Sequence, residues 1–207
     1  MKNNITRFFI FDLITVLLVS ISLIYSGCSC KPCQQDEESQ IPLSVLQKAD
    51  QFIISKTGNE FFKKYITVDF SQSMHIEPNY LMAYKFYMPE KPFVDESIRF
   101  TTDSLGNVLK QFEVVGIPEC NMNSDECDFI VDEKIAKQIA IQNDLTEGIK
   151  DWKVDFIWNS TYNKYVWVII STIKENKNED YYRAEGEKII IDANNASVLS
   201  KDKWKIN

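Results

Sequence analysis

The stretch Tyr165-Val166-Trp167-Val168-Ile169-Ile170-Ser171-Thr172-Ile173 is apolar at almost every position. A strand with one wet face alternates apolar and polar side chains, so a run that is apolar on both faces belongs near the centre of a sheet. Its surroundings supply the rest of that sheet. Upstream, residues 152–158 alternate, placing Trp152, Val154, Phe156 and Trp158 on one face. Downstream come a charged hairpin loop at 174–182, a strand at 187–191, a turn at Asp192-Ala193-Asn194-Asn195 and a closing strand at 196–201. Before them, residues 132–144 have helical spacing, with Ile135, Ala136, Ile139 and Ala140 facing a core. Asp132 is a suitable N-cap, and Gly148 follows the helix end.

The first half repeats this order. Residues 43–63 show helical spacing through Leu43, Leu46, Ala49, Phe52, Ile53 and the Phe61-Phe62 pair, with Gly58 ending or breaking the helix. Short alternation over 66–70 precedes a longer strand at 80–88, whose Tyr80, Met82, Tyr84, Phe86 and Met88 share a face. Pro89-Glu90-Lys91-Pro92 breaks it, 97–102 resumes as a strand, and a turn at 103–107 leads into 108–115 as the hairpin partner. Ile98-Arg99-Phe100-Thr101-Thr102-Asp103 followed by Val108-Leu109 lines up with Glu187-Lys188-Ile189-Ile190-Ile191-Asp192 followed by Val198-Leu199. The pattern predicts an α+β fold, a helix packed on an antiparallel sheet, repeated twice over 43–117 and 132–207, with a cysteine-bearing linker at 118–131.

The second half resembles the PepSY family. The Ala-containing helix is Ile135-Ala136 with Ile139-Ala140. The strand pair is Trp152-Lys153-Val154 with Tyr165-Val166-Trp167-Val168-Ile169, and the hairpin is Ile190-Ile191-Asp192-Ala193-Asn194-Asn195-Ala196-Ser197-Val198-Leu199. Ala196 stands where that family usually has Gly, whereas the weaker match in the first half keeps Gly106. The resemblance implies small cystatin-like α+β modules, found in propeptides of secreted metallopeptidases and in bacterial envelope lipoproteins. They have been proposed to bind or restrain peptidases. It brings no catalytic residues to carry over.

Residues 1–27 read as an export signal. Lys2 and Arg7 form a basic start, Leu13–Ile24 an apolar core, and Tyr25-Ser26-Gly27-Cys28 resembles a bacterial lipobox, with Tyr25 where Leu is usual. Cys28 is therefore the expected lipidation site. An uncleaved membrane anchor over Phe8–Ser26 is the alternative, with Asp12 a costly charge inside it. Residues 28–42 are polar and read as a flexible tether. Both readings place 34–207 outside the cytoplasmic membrane, in a bacterial cell envelope.

Composition limits the chemistry. The 207 residues carry a net charge of -7, with 44% hydrophobic and 13% aromatic residues. That balance fits a folded exported domain and argues against a nucleic-acid partner. His75 is the sole histidine, so a multi-histidine metal site is excluded, and no cofactor or metal is expected. His75 reads as a solvent-exposed loop residue with no reactive Ser or Cys tied to it by a motif. With Cys28 lipidated, Cys120 and Cys127 are expected to form a disulfide across a polar loop. Cys30 and Cys33 have C-x-x-C spacing but sit in the tether, where a redox or zinc role has little support.

Trp152, Trp158, Tyr162, Tyr165 and Trp167 crowd one small sheet. Most should be core, and some should line a face that binds an extended peptide or an apolar ligand. The expectation is a non-enzymatic, membrane-anchored envelope lipoprotein that binds a protein or peptide partner, with modulation of a peptidase as one role. A thiol oxidoreductase using Cys30 and Cys33, or a structural envelope subunit, are the alternatives.

Overall fold

The computed structural model describes residues 41–178 and 181–206. The expected signal, the lipidation site Cys28 and the Cys30/Cys33 pair lie outside them. Helices α1 (Leu43–Thr57) and α2 (Asn59–Tyr65) are followed by strands β1 (Ile66–Val68), β2 (Met74–Ile76), β3 (Asn79–Tyr87) and β4 (Asp95–Thr102). Then come a 3-10 turn (Ser124–Cys127), α3 (Glu133–Gln142), β5 (Lys153–Asn159), β6 (Lys164–Lys177), β7 (Tyr182–Asp192) and β8 (Val198–Ile206). All pairing is antiparallel. The chain is a mixed α+β fold of helices and two antiparallel sheets.

In the first sheet β3 is central. Its one edge takes β1 and β2 in succession, and β4 runs along the other. Tyr80, Met82, Tyr84, Phe86 and Met88 are all buried on the shared face, as the alternation requires. Helix α1 lies on that face through Val45, Ala49, Ile53 and Thr57, spaced by a helical turn. This buried stripe is offset from the one expected: Leu43 points outward at 68% exposure. Phe52 packs edge-on against Phe100, with centroids 5.1 Å apart, and the Tyr84 hydroxyl donates to Asp50 Oδ1 at 2.8 Å.

Segment 108–115 is not the strand expected. It touches β4 only through single bridges, Thr102 to Val108 and Arg99 to Val115, with a turn between them. His75 lies on the short strand β2 rather than in a loop. It is exposed and stacks on Tyr80, with centroids 4.6 Å apart.

The second sheet runs β5-β6-β7-β8. Strand β6 lies inside it, and its two faces enter separate apolar groups. Tyr165, Trp167 and Ile169 join the main core, while Val166 and Val168 pack with Ile190, Tyr162, Ile170 and Leu199. The expected charged loop at 174–182 is shorter than the spacing suggested, because β6 continues to Lys177 and β7 begins at Tyr182. Lys and Glu alternate there on exposed, paired strands, and that pattern is also compatible with a loop. In α3 the Asp132 carboxylate accepts from the Ile135 N–H at 2.8 Å, so the N-cap is as read. Ala136 and Ala140 are buried, but Ile135 is exposed.

The segment expected as a linker contributes Cys127, Phe129 and Val131 to the core. Trp167 Nε1 donates to the Val131 carbonyl at 2.7 Å, and the Phe129 N–H donates to Asn194 Oδ1 at 2.9 Å. Cys120 and Cys127 are joined by a disulfide with Cα atoms 5.5 Å apart. Just beyond Cys120, Asn121 donates its backbone N–H to the Lys56 carbonyl and its side-chain amide to that of Ser55. The loop thus caps the end of α1. Cys120→Ser with Cys127→Ser should lower unfolding stability by about 2–3 kcal/mol, the loop-closure value for so short a ring. Urea titration of the oxidised protein against the double variant measures it.

Two turns close their hairpins alike. Asp103 accepts from the Leu105 and Asn107 N–H groups, and Asp192 from that of Asn194. Each turn holds one residue in the left-handed region, Gly106 at φ +81 and Ala196 at φ +64. An alanine there is strained by its Cβ. Ala196→Gly should therefore stabilise the domain by about 0.5–1 kcal/mol, seen as a higher denaturation midpoint at unchanged slope.

Candidate functional site

The aromatic residues of the second sheet divide by position. Tyr165 and Trp167 are 1% and 3% exposed, so they are core side chains and present no surface. Trp152 is half-buried and donates its indole N–H to the Thr146 carbonyl at 2.9 Å. Tyr162 is half-buried on the β5–β6 turn and donates to the Leu199 carbonyl at 3.3 Å. Trp158, near the end of β5, borders open space.

Two adjoining clefts share Trp158, Glu119 and Asn163 in their walls. The larger, about 410 Å³, has an apolar lining of Phe52 from α1, Val108, Val114, Ile117 and Trp158. Lys56 and Lys110 add charge at its margin. The smaller, about 270 Å³, lies towards the disulfide loop and is lined in part by Met122, Glu126, Tyr162 and Lys164. The larger cleft lies where 108–115 does not pair fully with β4, which leaves Val108 and Val114 half-buried instead of laddered. Phe52 packs against the core from α1, as its helical spacing predicts, and also lines the larger cleft. Trp158 and Tyr162 stand among the aromatics that the sequence singles out, whereas the lining residues between 108 and 126 carry no spacing signal.

The electrostatics of this region are partly paired. Lys56 meets Glu119 at 2.6 Å. Lys164 meets the buried Asp192 at 2.8 Å and Glu126 at 3.6 Å. Lys110 is exposed and forms no ion pair among the described residues. The Trp158 indole nitrogen is buried without a hydrogen-bond partner, and an unmet buried donor is costly. A lining of apolar side chains with one unpaired ammonium at the margin suits binding of a chain segment that brings apolar side chains and an acidic group. Among the described residues there is no cluster of His, Cys, Asp or Glu able to hold a metal, and no helix long and apolar enough to cross a membrane.

One carboxyl is placed against its chemistry. Glu96 lies opposite Phe86 in the β3–β4 register, on the face that β3 turns to the core, and is half-buried. Burial, with the Asp95 carboxylate beside it, pushes its pKa from 4.5 up to about 7. Burial also pushes the Tyr165 hydroxyl well up, with Glu96 adding to the effect. That hydroxyl stays protonated and donates to the Gly116 carbonyl at 2.8 Å.

A carboxyl whose pKa is raised by folding favours the folded state at low pH. Its contribution is fully present below the unfolded value near 4.5 and is lost as pH rises through about 7. Glu96→Gln should therefore be more stable than the parent above neutrality by about 1 kcal/mol, a figure reduced for the solvent that reaches the group. The advantage should vanish at about pH 4. Denaturant midpoints at the two pH values check this, and an equal gain at both would exclude Glu96 as the cause.

No protein-family model, no curated protein and no solved structure matches this chain.

Proposed function

We propose that this chain is a lipid-anchored protein of the bacterial cell envelope that acts by binding a protein or peptide segment and carries out no chemistry of its own. The observation that carries the binding reading is the apolar cleft around Trp158, with the unpaired Lys110 at its margin. Its size suits a few side chains of an extended segment better than a whole folded surface. The anchor reading rests on the sequence of residues 1–28, with lipid on Cys28.

The architecture is read as two PepSY-like modules in tandem. The support is positional. In the first half α1, β1, β3 and β4 follow one another, with β1 on one edge of β3 and β4 on the other. In the second half α3, β5, β6 and β7 do the same around β6. Val108 then bridges to β4 where β8 pairs with β7, and the hairpin inserted at β2 is the main addition to the first half. The related turns at Asp103 and Asp192 add to this. Restraint of a peptidase is the role such modules suggest, and an extended peptide in the cleft would accord with it.

The test is site-specific photo-crosslinking in cells. A photoreactive residue at Lys110 should capture a defined partner, the same residue at exposed Lys203 on β8 should not, and Trp158→Ala should remove the capture at 110. Identical captures from both positions, or capture insensitive to Trp158→Ala in a folded variant, would defeat the reading.

A further inference from the structure

We propose that the Cys120–Cys127 disulfide is a thiol–disulfide exchange site for a protein dithiol, and that its reduction slackens one wall of the cleft beside Trp158. The effect on binding rests on the reading of that cleft as the binding site, whereas the exchange step does not. The loop between the two cysteines is a partition. On one side Met122, Asn123 and Glu126 border the smaller cleft, which shares Trp158 with the larger one. On the other side Cys120, Ser124 and Cys127 border a third cleft of about 400 Å³, lined also by Thr57 at the end of α1 and by Phe61 and Tyr65 of α2. Both cysteines thus line open space. Cys120 is half-buried and Cys127 buried, so Cys120 is the sulfur that an incoming thiolate meets first.

Little besides the disulfide holds the partition. Residues 121–125 are all exposed, Met122 at 92%. Among the described residues, the polar ties of 121–126 to the rest of the domain are the two hydrogen bonds from Asn121 to the end of α1, at 2.8 and 3.1 Å, and the Glu126–Lys164 pair at 3.6 Å. Reduction removes the constraint that closes this loop at its base. Cys127 packs with the apolar core, where a free thiol is an ordinary small apolar side chain, so it stays in place. The freedom gained falls on Cys120 and on the exposed residues that wall the smaller cleft.

In the first step a thiolate of the partner attacks Cys120 Sγ. A bond forms between those two sulfurs, the bond between Cys120 and Cys127 breaks, and Cys127 leaves as a thiolate that takes up a proton. The partner's second thiol, deprotonated, then attacks the partner's own sulfur in the mixed disulfide and releases Cys120 as a thiolate, which is protonated in turn. The dithiol is oxidised to a disulfide and the Cys120–Cys127 bond is reduced, so that two electrons and two protons pass to this chain.

The full chain, incubated without denaturant with thioredoxin kept reduced by NADPH and its reductase, tests this. Differential alkylation read by peptide mass spectrometry should show Cys120 and Cys127 becoming thiols. Thioredoxin stripped of its resolving cysteine should be recovered bonded to Cys120. On reduction, hydrogen exchange at the bonded amides of Asn121 and Glu126 should quicken by about tenfold or more while circular dichroism stays unchanged. In cells, the photoreactive residue at Lys110 should capture several-fold less partner in Cys120→Ser with Cys127→Ser than in the parent. A bond that stays intact until urea unfolds the chain, or a mixed disulfide confined to Cys127, overturns the exchange site. Unchanged hydrogen exchange in a chain shown to be reduced overturns the slackening, as does equal capture by the parent and a folded double variant. A parent that captures nothing at 110 defeats the binding reading instead, and thiol trapping with hydrogen exchange still decides the proposal.

Discussion

Gly186→Ala should cost about 3 kcal/mol or more and come close to unfolding the domain. Gly186 pairs with Thr172 in the β6–β7 ladder, beside the irregularity between Thr172 and Lys174. A Cβ there would overlap the Ser171 carbonyl oxygen and stand 2.9 Å from both the Ser171 carbonyl carbon and Trp204 Nε1. The obstruction is backbone, so no rotamer change relieves it. The Trp204 indole reaches across this point to donate to the Ser171 and Glu187 carbonyls at 3.0 and 3.2 Å. Parting the strands to make room therefore breaks ladder bonds and the indole bonds together. Urea denaturation should show the loss, while Lys203→Ala on the exposed edge strand should stay within about 0.5 kcal/mol of the parent. A Gly186→Ala protein as stable as that control would mean that β6 and β7 do not approach as described.

Tyr165→Ala should cost a similar amount, about 3–5 kcal/mol, with loss of the near-ultraviolet dichroism of the aromatic core. The Tyr165 ring lies 5.1–5.7 Å, centroid to centroid, from Phe86, Phe129, Phe156 and Trp158. Those rings come from β3, the intervening segment and β5, so one truncation opens a void where both sheets contribute. The conservative change separates packing from hydrogen bonding. Tyr165→Phe keeps the ring and loses only the bond to Gly116, and should cost about 1 kcal/mol. Equal losses for the two variants would place the importance of Tyr165 in its hydroxyl instead.

Local chemistry made much of this fold legible. The two-sided apolar run of β6 required an inner position, and the one-sided alternation of β3 required a covered face. Asp132 could be read as a cap because a carboxylate three residues before an N–H has few other uses there. The errors have a common source. Leu43 and Ile135 satisfy a helical period but lie beyond the buried stripe, since a period leaves the phase open by one residue in either direction. Segment 108–115 has strand-like residues, yet only single bridges form. The cleft follows from that failure, which no residue within the segment announces.

The sequence by itself determined the class of the fold, the inner strand of the second sheet, the turns at Asp103 and Asp192 and the pairing of Cys120 with Cys127, because each depends on neighbours a few residues away. Tertiary structure alone decided which aromatics are core and which border space, and where Glu96 sits. It also decided that Leu43, Leu105, Ile76 and Met74 stay uncovered. These depend on which distant segments meet, and a side chain's exposure belongs to that meeting and not to the residue.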